Sequence, residues 1–118
     1  MVKIKKKQKY YKSRAKVAKA LAHWARMMIV DILAEQEELC VCTLTELIDL
    51  SQASISKHLA VLKEVGIVSF RKEGLKVFYS LETPCVVDFF DCLDRVLAKD
   101  LKRRQKELKD LSNITKGE

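Results

Sequence analysis

Four cysteines are the side chains with the clearest capacity for chemistry in this sequence of 118 residues. Cys40 and Cys42 form a close pair, and Cys85 and Cys92 form a wider one. Cysteines in a chain that carries no secretory signal serve metal binding, redox chemistry or burial. Neither pair has the Cys-x-x-Cys spacing of a zinc knuckle, so these roles stay open on spacing alone.

The composition argues against several classes of protein. No apolar stretch approaches the roughly 20 residues of a membrane helix, and no apolar region follows the basic residues near the start. We therefore expect a cytoplasmic protein with reduced thiols and no membrane partner. Only two histidines are present, His23 and His58, so an imidazole-rich zinc site has few ligands. No nucleophile–base set, glycine-rich phosphate loop or carboxylate pair at useful spacing indicates an enzyme.

The positive charge lies at one end of the chain. The formal net charge is +7, and residues 1–30 contain ten Lys or Arg and no Asp or Glu. The remaining residues are slightly acidic. A basic segment of this kind is typical of an arm near a polyanion, and residues 1–12 are predicted to form such an arm.

The elements that must position these residues begin with helices. Apolar residues recur at helical spacing over residues 13–35, with a possible break at residues 23–25. Residues 41–50 predict a further helix. Ser51 can cap the next one, which runs from Gln52 to about Val65, because its hydroxyl can accept a free backbone N–H in the first turn. Gly66 stands where a left-handed residue ends helices.

The second half predicts a β-hairpin and a long helix. Residues 67–71 and 76–81 are rich in β-forming residues and are separated by residues 72–75, which form a basic tip. Pro84 then opens a helix over residues 85–111, whose apolar stripe is too long for so small a domain to cover, so we expect a homodimer. The order predicts a mainly α, winged helix–turn–helix domain over residues 13–111, followed by a tail over residues 112–118.

The predicted recognition helix and hairpin carry the side chains for reading DNA. In a helix–turn–helix the second helix enters the major groove with its N-terminal residues leading. Glutamine can bond adenine through two hydrogen bonds, serine can contact bases or phosphates, and cations suit phosphates. A basic hairpin suits a wing on the phosphate backbone or in the minor groove. The predicted contacts with double-stranded operator DNA are Ser51, Gln52, Ser54, Ser56, Lys57, His58, Arg71, Lys72 and Lys76.

These residues resemble the ArsR/SmtB family of metal-sensing repressors. The resemblance covers about residues 15–82 and rests on three segments: residues 21–26, the Glu-Leu-Cys-Val-Cys box at residues 38–42, and residues 50–63 with the Gly66 hairpin. It implies a homodimeric winged-helix repressor with terminal helices at the dimer interface. The apo protein would hold its operator, and the inducer would release it.

The box resembles the thiolate site by which several branches of the family sense arsenite, antimonite, cadmium or lead. Soft thiolates outcompete oxygen and imidazole ligands for such ions. The resemblance implies Cys40 and Cys42 as ligands. However, Thr45 stands where arsenic-type members often carry a third cysteine, and the ligand cysteine of the cadmium-type N-terminal arm is missing.

A third ligand therefore has to come from elsewhere, or the site is two-coordinate. Cys85 and Cys92 are the available donors, in the same or the partner subunit, or they are small buried hydrophobic residues. They cannot share one ion while both are helical, because seven residues span about 10.5 Å of helix. Asp88, Asp91 and Asp94 lie on the terminal helix without a histidine, which argues against a zinc site there.

Two other functions fit the same fold. A redox or reactive-sulfur sensor would use cysteine oxidation in place of metal binding. A constitutive DNA-binding module would use its cysteines only structurally. The sequence predicts a repressor released by a thiophilic metal or metalloid ion, with these two functions as the alternatives.

Overall fold

The computed structural model describes residues 7–116 of the chain, and the side chains of residues 7–114. It divides into two compact units, the first ending at Pro84 and the second beginning at Cys85. The elements, in chain order, are α1 (Gln8–Leu21), α2 (Trp24–Glu35), β1 (Leu39–Cys40), α3 (Val41–Ile48), α4 (Gln52–Glu64), β2 (Val68–Glu73), β3 (Lys76–Leu81) and α5 (Val86–Lys116).

The predicted break between the first two helices is confirmed. His23 is extended and caps α2, and its Nδ1 accepts the backbone N–H of Ala25 at 3.1 Å. The predicted arm over residues 1–12 needs correction, because α1 already begins at Gln8. Residues 8–12 contain no Gly or Pro and are mostly good helix formers, so their charge does not prevent the helix. Residues 1–6 of the predicted arm lie outside the described part of the chain.

The helix–turn–helix forms as the sequence predicts. Asp49 ends α3 in the left-handed region with φ 58°, and the Ser51 hydroxyl accepts the backbone N–H of Ser54 at 3.1 Å to cap α4. Ile55, Leu59 and Leu62 are fully buried and fix the inward face of α4. Burying a side chain of this size contributes about 1.5–3 kcal/mol, so this stripe determines which face of α4 remains outside.

The wing is a hairpin within a three-stranded antiparallel sheet of order β1-β3-β2. Gly66 has φ 84° and Gly74 has φ 62°, which accounts for glycine after α4 and at the hairpin turn. Glu73 pairs with Lys76, so the turn is shorter than the predicted tip over residues 72–75. Strand β1, which pairs Cys40 with Phe78, was not predicted, because two residues are too few for an alternation pattern.

The second unit is the single helix α5. It follows Pro84, as predicted, and continues to Lys116, so the helix runs five residues beyond its predicted end at residue 111 and into the segment predicted as a tail. Ion pairs from Asp100 to Arg103 (2.6 Å) and Arg104 (3.1 Å) support its surface. Among residues 7–116, no helix is long and apolar enough to cross a membrane.

Candidate nucleic-acid interface and cysteine pair

The N-terminal turns of α4 present the polar side chains that the sequence predicts for base reading. Gln52, Ser56 and Lys57 are exposed, and Ser54 is partly buried. The Ser51 hydroxyl is occupied by the cap, so it holds the helix end in place. The buried stripe of α4 faces the opposite way, and this leaves the polar face available to a groove.

His58 is turned toward α2. Its Nδ1 accepts a hydrogen bond from the Arg26 guanidinium Nε at 3.2 Å, and its ring lies 4.3 Å from the ring of His23. Arg26 also donates to the carbonyl oxygen of Ala20 at the end of α1. Partial burial, together with His23 and Arg26, lowers the pKa of His58 below its usual value. His58 thus joins three helices in its neutral form, and only Nε2 is left for a contact with DNA.

Arg71, predicted to contact phosphate, is held by two carboxylates. Its guanidinium donates to both oxygens of Glu38 at 2.8 and 2.6 Å, and to Glu73 at 2.7 Å. Hydrogen bonds from Arg71 lower the pKa of Glu38, and those to Glu38 and then Glu73 raise the pKa of Arg71. Among the described residues, Lys72 and Lys76 form no ion pair and are exposed. The wing's unpaired positive charge therefore lies on these two lysines.

The cysteine pair lies where β1 meets α3. Cys40 is the last residue of β1 and the N-cap of α3, with the extended angles φ −77° and ψ 159°. Cys42 is already helical, and a disulfide joins the two residues, whose Cα atoms are 5.3 Å apart. Two positions apart on a continuous helix, the sulfurs would point about 200° away from each other. Because Cys40 is extended, they meet without any distortion of α3.

Cys40 also stabilises the start of α3. Its sulfur accepts the backbone N–H of Thr43 at 3.3 Å and lies 3.2 Å from the Thr43 hydroxyl. It therefore occupies the position that serine or aspartate takes in most capped helices. Cys40 is buried, whereas Cys42 is exposed.

A pocket of about 230 Å³ adjoins the cysteine pair within the first unit. It is bounded by the start of α3, by the exposed face of α4 and by the wing. Its lining consists of Cys40, Val41, Cys42, Gln52, Ser56, Leu75, Lys76, Val77 and Tyr79. The two sulfurs thus lie beside side chains that the sequence assigns to DNA reading.

Cys85 and Cys92 are both exposed in the single chain, so neither is a buried hydrophobic residue within it. In the described part of the chain, no three or more His, Cys, Asp or Glu side chains are grouped so that they could hold a metal ion. The cysteine pair supplies two thiol ligands once reduced, and a three-coordinate ion needs one more donor.

Two long-range contacts near this region, Glu38–Arg71 and Arg26–His58, were not predicted from the sequence. Each joins residues more than thirty positions apart. Glu38 is acidic and the wing is rich in cations, but no local pattern in the sequence identifies Arg71 as the partner of Glu38. Tyr79 was missed for the same reason, since its place in the pocket depends on the pairing of β1 with β3.

The described elements define a winged helix–turn–helix protein. Residues 25–69 match the family model of bacterial regulatory proteins of the arsR family. The chain is 33% identical over 101 residues to the uncharacterized HTH-type transcriptional regulator Rv0081 of Mycobacterium tuberculosis, which covers 86% of this chain and 89% of that protein. The chain therefore belongs to the ArsR family, whose members are DNA-binding transcriptional regulators and not enzymes.

Two relatives have names that specify a metal or metalloid. A cadmium resistance transcriptional regulatory protein CadC homolog of Staphylococcus aureus is 47% identical over 68 residues, which is 58% of this chain and 56% of that one. The arsenical resistance operon repressor of Escherichia coli is 49% identical over 63 residues, or 53% of this chain and 54% of that one. The chain thus spans little more than half the length of these two relatives.

Solved structures agree with the fold. The crystal structure of Rv0081 has a TM-score of 0.71 at 31% identity and covers 83% of this chain and 98% of that one. A homodimeric winged helix–turn–helix domain from Mycobacterium bovis has a TM-score of 0.68 at 29% identity, covering 86% of this chain and 93% of that one.

Proposed function

We propose that this protein is a homodimeric cytoplasmic repressor that leaves its operator when a thiophilic metal or metalloid ion binds at Cys40 and Cys42. The inducer is arsenite, antimonite, cadmium or lead, in line with the names of two relatives. The observation that carries the proposal is the pocket that the cysteine pair shares with Gln52 and Ser56 of the recognition helix.

The coupling to DNA follows from the position of Cys40. A metal ion bound to its sulfur competes with the capping bond to Thr43 and pulls on the residue that pairs with Phe78 of the wing. The start of α3 and strand β3 therefore both respond to the ligand. A difference of only about 1.4 kcal/mol between the ligand's binding to the free and DNA-bound forms changes operator affinity tenfold.

The coordination shell needs a contribution from outside the pair. Cys85 or Cys92, in the same or the partner subunit, supplies the third sulfur for a three-coordinate ion, and both thiols are exposed in the single chain. Metal or metalloid binding requires the reduced pair, because a ligand sulfur must be a thiolate.

The test is release of labelled operator DNA from reduced protein, followed by fluorescence anisotropy during titration with arsenite or cadmium. Cys40→Ser and Cys42→Ser should each keep DNA binding and lose release, whereas Cys92→Ser should lose it only in part. Thr45→Ser is a matched control near the box. If both box variants still release operator DNA at the metal concentration that releases it from the wild type, the sensor lies elsewhere.

The disulfide favours a second candidate, a redox or reactive-sulfur sensor. Cys40 and Cys42 are joined by a disulfide, so the backbone at the start of α3 accommodates the oxidised pair. In this case an oxidant would change operator affinity in the absence of any metal, and dithiol reductant would reverse the change. Metal-dependent release without an oxidant effect favours the first candidate.

A further inference from the structure

His23 and His58 lie side by side where the start of α2 meets the middle of α4. Their ring centroids are 4.3 Å apart, and both side chains are half-buried. The Nδ1 of His23 accepts the backbone N–H of Ala25 at 3.1 Å. The Nδ1 of His58 accepts the Nε–H of Arg26 at 3.2 Å. The two rings thus form one cluster, the histidine pair, and each ring is held in place at its Nδ1.

These two hydrogen bonds determine which nitrogen of each ring carries the hydrogen. A neutral imidazole has one N–H donor and one acceptor nitrogen. Backbone N–H groups and guanidinium groups only donate, so Nδ1 is the acceptor in both rings. The hydrogen of each neutral ring therefore lies on Nε2. The histidine pair presents two N–H donors, and this suits an anion rather than a metal ion, which would need a lone pair at each Nε2.

The surroundings of the histidine pair are electropositive. The Arg26 guanidinium donates to His58 and polarises its ring, so the Nε2–H becomes a stronger donor. Helix α2 begins directly after His23, and the partly positive end of the helix therefore lies at the same place. Burial lowers the pKa of His58, and the charges of His23 and Arg26, both basic, lower it further. A negatively charged ligand offsets this positive field.

The histidine pair lies on the flank of α4 that is turned away from the wing. Gln52 and Ser56 adjoin the wing in the pocket beside α3. Ser54 and His58 are four residues apart and share the other flank, which faces the start of α2. A recognition helix in the major groove lies between two phosphate backbones. With the wing at one backbone, the histidine pair is on the side of the second.

We propose that the Nε2–H groups of His23 and His58 together bind one phosphate of the DNA backbone, on the side of the major groove opposite the wing. Of these two residues, only His58 was predicted from the sequence to contact DNA. The inference rests on DNA binding in the proposed function and is independent of the inducer. Because a phosphate carries no sequence information, the contact adds affinity for every sequence alike.

Asparagine and glutamine separate the roles of the two ring nitrogens. The side-chain oxygen of asparagine lies near the position of Nδ1. His23→Asn therefore keeps a cap for α2, and His58→Asn keeps an acceptor for Arg26. Both variants lose the donor at Nε2. His58→Gln has the opposite effect, because its longer amide reaches the position of Nε2 and can donate there.

The first test measures the affinity of the full chain for a labelled random duplex by fluorescence anisotropy. His23→Asn and His58→Asn should each weaken binding about tenfold. The salt slope should stay unchanged in both variants, in contrast to Lys72→Ala, because a neutral donor releases no counterions. His58→Gln should retain most of the wild-type affinity. Urea unfolding of the asparagine variants distinguishes a lost contact from a lost fold.

Nitrogen-15 spectra of the histidine rings in the wild type provide a second measurement. The sequence contains two histidines, so one variant, His23→Asn, assigns both sets of signals. The free protein should carry hydrogen on Nε2 of both rings, and both Nε2–H signals should shift when the random duplex is added. Inorganic phosphate at the same phosphate concentration should shift them much less, because it lacks the contacts of DNA with the rest of α4 and the wing.

Hydrogen on Nδ1 of either ring, signals that do not respond to DNA, or wild-type affinity in both asparagine variants would overturn the inference. An equal response to inorganic phosphate would also overturn it and would make the histidine pair a site for a free anion. Failure of the wild type to bind any duplex would contradict the proposed repressor as well. Duplex binding that does not depend on either histidine would contradict this inference alone.

Discussion

At the scale of single residues, Gln52 is placed to discriminate between sequences. It lies in the first turn of α4, exposed and next to the pocket. Gln52→Ala should weaken binding to the specific operator by about 1–3 kcal/mol and change binding to random DNA much less. Competition between operator and random duplex measures the difference. Equal losses on both duplexes would show that Gln52 does not read a base.

The wing cations divide into two kinds, and the division predicts different salt dependence. Lys72 is exposed and free of ion pairs among the described residues, whereas Arg71 is held by Glu38 and Glu73. Lys72→Ala should weaken binding to all sequences and lower the salt slope by about one unit. Arg71→Gln should change the slope by less, because its charge is already offset. A larger slope change for Arg71→Gln than for Lys72→Ala would show that the carboxylates release Arg71 on DNA.

The lowered pKa of His58 predicts that the free energy of unfolding falls in acid. The pKa of His58 in the folded protein lies below the ordinary histidine value of 6.5, so the unfolded chain binds the proton more readily. The favourable arrangement with Arg26 and His23 is fully present above pH 6.5 and is lost as the pH falls through the lower folded pKa. His58→Gln keeps a side-chain acceptor and does not titrate, so its free energy of unfolding should fall less between pH 7.5 and pH 5.5. Urea unfolding measures both slopes, and identical slopes would contradict the role of His58.

At the scale of the element, Cys40 makes α3 depend on one sulfur. Its capping bond to Thr43 predicts that Cys40→Ala lowers the free energy of unfolding of the reduced protein. Loss of an oxygen cap costs about 0.5–2 kcal/mol, and this range is an upper bound here because sulfur is a weak acceptor. Cys40→Ser restores an oxygen at the cap and should be at least as stable as wild type. Urea unfolding with excess reductant removes any effect of the disulfide. Equal stability of the alanine variant and wild type would mean that the cap contributes little.

At the scale of the whole molecule, α5 carries an apolar face that we expect a second copy of the chain to cover. Its apolar side chains are largely exposed in the single chain, with Leu97 at 55% and Leu101 at 50% exposure. Exposed apolar surface of this extent is typical of a protein interface. A two-fold dimer would place two recognition helices for half-sites about 34–36 Å apart on a pseudo-palindromic operator.

The dimer prediction can be tested with charges on one face of α5. Leu97→Glu and Leu101→Glu should each shift the protein from dimer toward monomer in light scattering, because a carboxylate is costly to bury in an apolar interface. Lys106→Glu is the matched control, since position 106 lies nine residues beyond Leu97 and thus on the opposite side of the helix. A stable dimer in both leucine variants would locate the interface elsewhere.

Features that depend on neighbours along the chain could be predicted from the sequence. The cap at Ser51, the apolar stripe of α4 and the left-handed Gly66 are local, and each was predicted correctly. The winged-helix order followed from them, because hydrophobic period and helix-ending residues act within a few positions. Helix ends without such signals, at Gln8 and Lys116, were misjudged.

The assembly of the candidate site depends on contacts between distant parts of the chain. Pairing of Cys40 with Phe78 brings the thiols to the wing and to the recognition helix, and the two-residue strand gives no periodic signal. The ion pair of Arg71 with Glu38 and the bond of Arg26 to His58 join residues 33 and 32 positions apart. Such contacts depend on which surfaces meet after the helices pack, so the charge state and direction of these side chains follow from the fold and not from local sequence.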